Sequence, residues 1–510
     1  METKNKQRKI GIILGYVNYG VKMLIQLIYV PIMLRLLGGN EYGVYQLVAS
    51  VVSYLSILDC GFSSAYLKFY AETIGKKQEE KRLNGTYLSI FGFIAVIVVV
   101  IGCVLAENID TVLGNKLTVS ELKLASILMK ILAINLGIGF INSVFSAFVV
   151  SRECFLFQRI VNLIVSIVNP MLVIPMLLMG YGSIGMVVVS LVIGIITLVI
   201  NIWYCVTKIK VPLQIGILDL GVMKRVSKFS FFLLLNIIID QINWNMDKYL
   251  LGRMIGSGAV AVYSIGAQIN TIYVQLPDMI ATVFAPKIHR IVAQKKDYMQ
   301  ELNNLFVRVG RVQSIVAGCV LLGFVLLGKE FINMWAGEEY NKAYYIVLLL
   351  ITPAFVPLCQ SLGVDIQRAM NKHQFRSLIY FIISILNIIT SIWLIGIYGE
   401  IGAAMGTTFS MLVGNGLIMN IFYHKALKLD MIHFWKNIIS IIPSYLIPSI
   451  VIFIIKIFVE IDSWLKLVLV GCIFIIFFLL SVYKLSLNDN ERGMVVSAVK
   501  RMIKRERGDN

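Results

Sequence analysis

Fourteen apolar runs of about 20 residues follow one another along this chain, at about 10–34, 43–66, 87–106, 124–148, 157–179, 184–206, 229–251, 259–284, 307–328, 343–364, 375–397, 401–422, 437–458 and 464–483. Each is long enough to cross a bilayer core of about 30 Å. The rest of the composition agrees. Of the residues, 58% are hydrophobic and 15% charged, where a soluble domain carries about 25% charge. The chain is expected to be an all-α polytopic membrane protein with about fourteen transmembrane helices.

The net charge is +18. On a soluble chain that excess would suggest nucleic acid. Here every second loop is basic, as the positive-inside rule requires of cytoplasmic loops. Lys4, Lys6, Arg8 and Lys9 precede the first span, Lys76, Lys77, Lys81 and Arg82 follow the second, and Arg152 and Arg159 follow the fourth. The pattern continues at Lys224, Arg225 and Lys228, and at Arg368, Lys372 and Arg376. Both termini are therefore expected in the cytoplasm, with no nucleic-acid partner. The basic stretch Met494–Arg507 suits either an amphipathic helix on anionic lipid or a solvated tail. METKNKQRK followed by an apolar run mimics a signal peptide, but no small-residue cleavage site follows and the run continues to about Leu37. Seven scattered cysteines without a CxxC pair are expected to be reduced thiols.

Shifted by 218 residues, the sequence partly matches itself. Ile164–Asn169 (IVSIVN) falls on Ile382–Asn387 (IISILN), Phe157 on Phe375, and Gly43-Val44-Tyr45 on Ala261-Val262-Tyr263. With one residue of slip, Gly180–Gly185 falls on Ile397–Gly402. Several weak matches on one offset indicate a repeat. Six spans fit in each copy, so both copies point the same way, as in parallel-repeat transporters. The expected organisation is a six-helix lobe over 1–206, a cytoplasmic linker over 207–228, a second six-helix lobe over 229–424, two additional helices over 425–484 and a basic tail over 485–510. Two bundles facing each other would enclose a central cavity.

Polar residues recur at helical spacing inside the spans. In the seventh, Asn236, Asp240, Asn243 and Asp247 share one face; in the first, Asn18, Lys22, Gln26 and Tyr29 do the same; in the eighth, Gln268, Gln275 and Asp278. Charges at mid-bilayer cost about 2.5–3.5 kcal/mol each on insertion scales. These stripes are expected to line the cavity. The alternative is structural: Lys22 pairing with Asp240, or Asp247 with Lys248. Asp240 and Asp247 are the candidates for coupling to H⁺ or Na⁺, since buried carboxylates can exchange protons near neutral pH. Pro170, Pro175, Pro353, Pro357, Pro443 and Pro448 mark bends. No catalytic residues, metal ligands or cofactor are assigned. The outer loops are short, the four histidines fall in loops of the basic side, and GxSxG and P-loop motifs are absent.

Ser56–Glu72 (SILDCGFSSAYLKFYAE) and Asn245–Ile269 (NMDKYLLGRMIGSGAVAVYSIGAQI) resemble signatures of the bacterial polysaccharide flippases, in the multidrug/oligosaccharidyl-lipid/polysaccharide exporter superfamily. The resemblance implies two six-helix lobes in a V. It also implies a bacterial cytoplasmic membrane and movement of an undecaprenyl-diphosphate-linked oligosaccharide from the inner to the outer leaflet for capsule, exopolysaccharide or related surface polymers. Membrane lipids, a polysaccharide polymerase and glycosyltransferases are the implied partners. The residues fit such a substrate. Lys22 would attract the diphosphate. Tyr16, Tyr19, Tyr29, Trp244 and Tyr273 would stack on sugars, and Asn18, Gln26, Asn243 and Gln268 would bond hydroxyls. The acids Asp240, Asp247 and Asp278 would repel a diphosphate unless it sits on the first lobe. They keep a second reading open, an ion-coupled cationic drug antiporter of the same superfamily. A third, a membrane enzyme of polysaccharide assembly, lacks a loop with convergent catalytic groups.

Overall fold

The computed structural model describes residues 2–213, 219–293, 298–488 and 491–493. Residues 214–218 of the linker, the stretch Met494–Arg507 and the side chain of Tyr16 lie outside the described residues. The first helices are α1 (Glu2–Tyr54), α2 (Phe62–Thr73), α3 (Lys77–Glu107), α4 (Ile109–Leu113), α5 (Val119–Ser151), α6 (Phe155–Leu178), α7 (Gly182–Trp203) and α8 (Leu220–Met254). After them come α9 (Ser257–Ala293), α10 (Tyr298–Trp335), α11 (Lys342–Cys359), α12 (Leu362–Ala369), α13 (His373–Tyr398) and α14 (Glu400–Met411). The last are α15 (Met419–Lys425), α16 (Met431–Ile439), α17 (Pro443–Phe458) and α18 (Trp464–Ser481). The protein is an all-helical, multi-pass membrane protein.

Among the described residues, eleven helices are long and apolar enough to cross a membrane, where fourteen spans were expected. The first two expected spans are two helices that meet at Gly38, whose φ of 75° and ψ of 165° leave the helical region, and they count together as one of the eleven. The seventh and eighth fall on α8 and α9. These have 35 and 37 residues, ample length, but their polar stripes keep them out of the eleven.

The packing forms two compact units, Met1–Ser264 with Ser384–Gly406, and Ile265–Ile383 with Thr407–Asn510. In the first unit, α1 continues into a 3₁₀ turn (Leu55–Asp59), and Cys60 and Gly61 then take left-handed φ values of 50° and 73°. The Asp59 carboxylate accepts from Gly61 N at 3.1 Å and supports that break. The turn delivers α2 onto an aromatic core of Tyr66, Tyr87, Phe91, Phe140 and Phe148. Tyr66 donates to Asn84 Oδ1 at 2.7 Å, and Asn84 Nδ2 donates to Pro212 O at 2.9 Å. Asp219 N donates to Thr86 Oγ1 at 3.1 Å. Both ends of the linker are thus strapped to α3 by fully buried polar side chains.

In the second unit, α10 carries Arg311, 3% exposed. Its guanidinium donates to Asn437 O at 2.9 Å, Ser440 Oγ at 3.2 Å, Ser486 O at 2.6 Å and both Glu491 oxygens at 2.9 and 3.0 Å. One residue therefore ties the start of the two additional helices, and the chain that leaves them, to α10.

The repeat is written in the backbone. Left-handed φ occurs at Gly38 and Gly256, at Glu153 and Asn371, and at Lys210 and Lys428, each pair 218 residues apart. Gly182 and Gly399 form a fourth pair at the one-residue slip. Stacked rings repeat as well: Phe157 on Tyr204 at 3.6 Å between centroids, and Phe375 on Phe422 at 4.4 Å.

Candidate functional site

Nine of the twelve stripe residues expected to face a cavity lie in the first unit, on α1 and α8: Asn18, Lys22, Gln26, Tyr29, Asn236, Asp240, Asn243, Trp244 and Asp247. The other three, Gln268, Gln275 and Asp278, lie on α9 in the second unit, with Asp278 exposed and both glutamines part-buried.

On α1 the stripe is graded. Asn18 is 4% exposed and its Oδ1 has no hydrogen-bond partner; Gln26 Oε1 is buried in the same condition. Lys22, between them, is exposed. On α8, Asn236 and Asp240 are exposed, Asn243 is part-buried and Trp244 is 45% exposed. A helix of this length in a membrane protein presents such groups to water or to a ligand rather than to hydrocarbon.

Asp247 is different. It is 4% exposed. Tyr263 OH donates to Oδ2 at 2.5 Å and Ser391 Oγ to Oδ1 at 3.2 Å. The Ser391 hydroxyl also lies 3.1 Å from Asn387 Oδ1 and 3.5 Å from Ala403 O. One hydroxyl proton faces three acceptor oxygens. A Cβ at Gly406 would stand 2.3 Å from Ser391 Oγ, so glycine there lets the serine reach the acid. Lys248 does not take Asp247 as its acceptor; its Nζ donates to Gln46 Oε1 at 3.2 Å, and Gln46 Nε2 donates to Tyr42 OH at 2.9 Å.

The turn between α8 and α9 closes on α1. A Cβ at Gly43 would lie 2.0 Å from Ser257 O, and one at Gly252 would lie 2.5 Å from Leu47. Ser257 Oγ donates to Glu121 Oε1 at 2.5 Å, and Glu121 also completes a capping box with Thr118. A Cβ at Gly258 would lie 3.6 Å from Oδ1 of Asn40, its partner at the repeat offset of 218.

Ser391 and Asn387 were missed in the stripe reading, because they meet Asp247 across more than 100 residues of chain. Their only sequence signal is that Asn387 and Tyr263 end two of the repeated words.

A buried acid ringed by neutral oxygens, beside graded polar stripes inside long apolar helices, is a transporter's equipment. A family profile described as "Polysaccharide biosynthesis protein" matches residues 32–345, more than half of the 510. The chain belongs to that family. Among relatives, a Shigella flexneri protein named "Putative O-antigen transporter" is 22% identical over 403 residues, which cover 78% of this chain and 93% of that protein. The teichuronic acid biosynthesis protein TuaB of Bacillus subtilis is 29% identical over 134 residues, 26% of this chain and 27% of TuaB. Among solved structures, lipid II flippase MurJ in an inward closed conformation superposes with a TM-score of 0.72 at 16% identity, over 93% of this chain and 99% of MurJ. At that identity the likeness is one of fold. The motif Ser56–Glu72 that resembles flippase signatures is the left-handed break before α2, and Asn245–Ile269 is the segment that carries Asp247, the tight turn and Tyr263.

Proposed function

We propose that this polysaccharide biosynthesis protein is a flippase. It moves an undecaprenyl-diphosphate-linked oligosaccharide from the cytoplasmic to the outer leaflet of the bacterial plasma membrane, by alternating access, with both termini in the cytoplasm. The observation that carries this reading is the family membership, held by a relative named as an O-antigen transporter that aligns over nearly its whole length. The α1 and α8 stripes supply what such a headgroup needs. Lys22 offers charge to phosphate, Asn18, Gln26 and Asn243 offer amides to hydroxyls, and Tyr29 and Trp244 offer rings to sugar faces. The lobes 1–206 and 229–424 are the bodies that would move, and a polymerase and glycosyltransferases would act after and before the transfer.

For coupling, the Asp247 cluster fits H⁺ or Na⁺. A hard monovalent cation is held by carboxylate, carbonyl and hydroxyl oxygens, and the Ser391 hydroxyl brings those of Asp247, Asn387 and Ala403 together. Asp240, exposed on the same helix, is the second candidate. Asp247→Asn should remove any sodium-dependent rise in the melting temperature of the purified protein; an unchanged rise in that variant would exclude Asp247 as the coupling acid.

The function itself is tested by depleting the protein in its host and measuring undecaprenyl-linked oligosaccharide in each leaflet. Accumulation of finished repeat units on the cytoplasmic side, reversed by the intact protein, is expected. No accumulation together with increased sensitivity to cationic dyes would favour the antiporter reading instead.

A further inference from the structure

α1 and α6 run side by side in the same direction. At one end, a Cβ on Gly15 would lie 3.7 Å from Arg159 Cζ. Past the far end of α6, at the start of α7, Ser183 N and Oγ donate to Glu41 Oε1 at 2.6 and 2.7 Å. From the Gly15–Arg159 contact, two helices that run in parallel with the same rise per residue keep Asn18 near the level of Asn162, Lys22 near that of Ser166, and Gln26 near that of Asn169. The two helices carry polar residues at the same spacing: Asn18, Lys22, Gln26, Tyr29 and Gln158, Asn162, Ser166, Asn169.

Arg159 sits at the start of this track. It is part-buried, and among the described residues it has no hydrogen bond or ion pair. The contrast with its neighbour is sharp: Arg152, seven residues earlier, is held by Glu80 and by Phe148 O. Withdrawing a guanidinium from water without an acceptor is unfavourable. Its five donors in a fixed fork match the oxygens of a phosphate. Farther along, Asn18 Oδ1, Gln26 Oε1 and Gln158 Oε1 are buried and unpartnered, while Gln158 Nε2 is already committed to Asn162 Oδ1 at 3.2 Å. Buried acceptors without donors call for hydroxyl groups.

We infer that the seam between α1 and α6 is a sugar-diphosphate subsite, with Arg159 as its phosphate-binding residue and the amides of Asn18, Gln26 and Gln158 as its sugar contacts. This rests on the flippase reading and adds to it a residue and a place. A Cβ at Gly15 would be in ordinary van der Waals contact with the guanidinium, so a larger side chain there would crowd it.

The test uses the full chain in lipid nanodiscs, with undecaprenyl diphosphate as probe and undecaprenol, which lacks phosphate, as its partner probe, both measured by native mass spectrometry. The intact protein should prefer the diphosphate. Arg159→Ala should lose that preference by tenfold or more, Arg159→Lys should keep part of it, and Gly15→Leu should reproduce the loss with Arg159 present. Melting temperatures report folding independently. Equal preference in the intact protein and in folded Arg159→Ala would overturn the inference and leave the flippase reading standing. No preference for diphosphate in the intact protein would overturn both.

Discussion

The two halves of the chain share a backbone and differ in chemistry. Turns recur 218 residues apart with the same handedness, at Glu153 and Asn371 and at Lys210 and Lys428, and so do the ring stacks that start the fifth span of each half. At matched positions the side chains diverge. At the repeat offset Lys22 corresponds to Asp240, Tyr29 to Asp247, Arg159 to Ser377, and Phe93 to Arg311. The Tyr263–Asp247 pair of the second half has its counterpart in Tyr45 beside Tyr29. Duplication preserved what the backbone needs and let the charges separate. At the matched stripe positions the cation Lys22 is in the first half and the buried acid Asp247 in the second.

The largest expected break in the comparison is at Arg311. Its counterpart Phe93 is 67% exposed, as a lipid-facing residue of a multi-pass protein is. Arg311 is buried because the additional helices cover it. Arg311→Ala leaves Glu491, two backbone carbonyls and Ser440 without their donor, and removal of one partner from a buried pair costs about 3–5 kcal/mol. Phe93→Ala should cost less than about 1 kcal/mol in the same thermal melt. The pair also has a pH signature. Burial pushes the Glu491 carboxyl up, but hydrogen bonds from Arg311 and from Asn488 N outweigh it and hold the group below its ordinary value. A carboxyl lowered on folding stabilises fully above its unfolded value of about 4.3 and loses that contribution as pH falls through the folded value. The melting temperature of the intact protein should therefore fall more steeply below about pH 4 than that of Glu491→Gln. Parallel profiles would show that the pair contributes nothing.

Next is Asp247. Asp247→Ala removes the carboxylate that accepts from the Tyr263 hydroxyl and is one of three acceptors of the Ser391 hydroxyl, in a site 4% exposed, a loss of about 3 kcal/mol for two hydrogen bonds to a carboxylate. Tyr29→Phe, at the matched position, removes one hydroxyl and should cost about 1 kcal/mol or less. Comparable losses would mean that the two half-sites are energetically alike and that the acid is no specialisation.

The spans, the helical class and the repeat were legible because each is a local pattern: twenty apolar residues, or one offset shared by several short words. The polar stripes were legible for the same reason, and Asn18, Lys22 and Asp247 were all named from spacing alone. What spacing cannot tell is burial. Asp240 and Asp247 lie on one face by periodicity, yet one is exposed and the other is enclosed by Ser391, which the chain brings in from α13. Arg159 read as a loop cation for the same reason, and Arg311 was not singled out, because Glu491 and Ser486, which hold it, are far away in sequence. The break at Gly38 falls in the gap between the first two apolar runs, so that boundary was legible too.

A smaller effect is expected at Gly43. Its counterpart is Ala261, so the sequence comparison alone suggests that alanine is tolerated in both. The structure separates them. A Cβ at Gly43 would meet the Ser257 carbonyl at 2.0 Å, a backbone group that cannot rotate away. Gly43→Ala should destabilise by about 1–3 kcal/mol through overpacking. Ala261→Gly should cost about 1 kcal/mol, the ordinary helix penalty of glycine. If Gly43→Ala melts like the intact protein, the α1 seam against the α8–α9 turn is looser than its geometry indicates.

The smallest effect asks whether matched backbones carry matched strain. Lys210 and Lys428 hold φ values of 53° and 57°, where a side chain pays about 1–2 kcal/mol that glycine does not. Glycine also gives the unfolded chain more freedom, which takes back about 0.4–1 kcal/mol. Lys210→Gly and Lys428→Gly should therefore each stabilise by roughly 0.5 kcal/mol, and by the same amount, since among the described residues neither side chain has a hydrogen bond that would make the exchange unequal. Gly38→Ala and Gly256→Ala, at the other matched pair, should move in the opposite direction. Equal shifts within each pair would show that the turn, rather than its surroundings, sets the energy. Unequal shifts would place the difference in the neighbours, and Lys210, whose backbone leads into the linker strapped by Asn84, is where the larger deviation would fall.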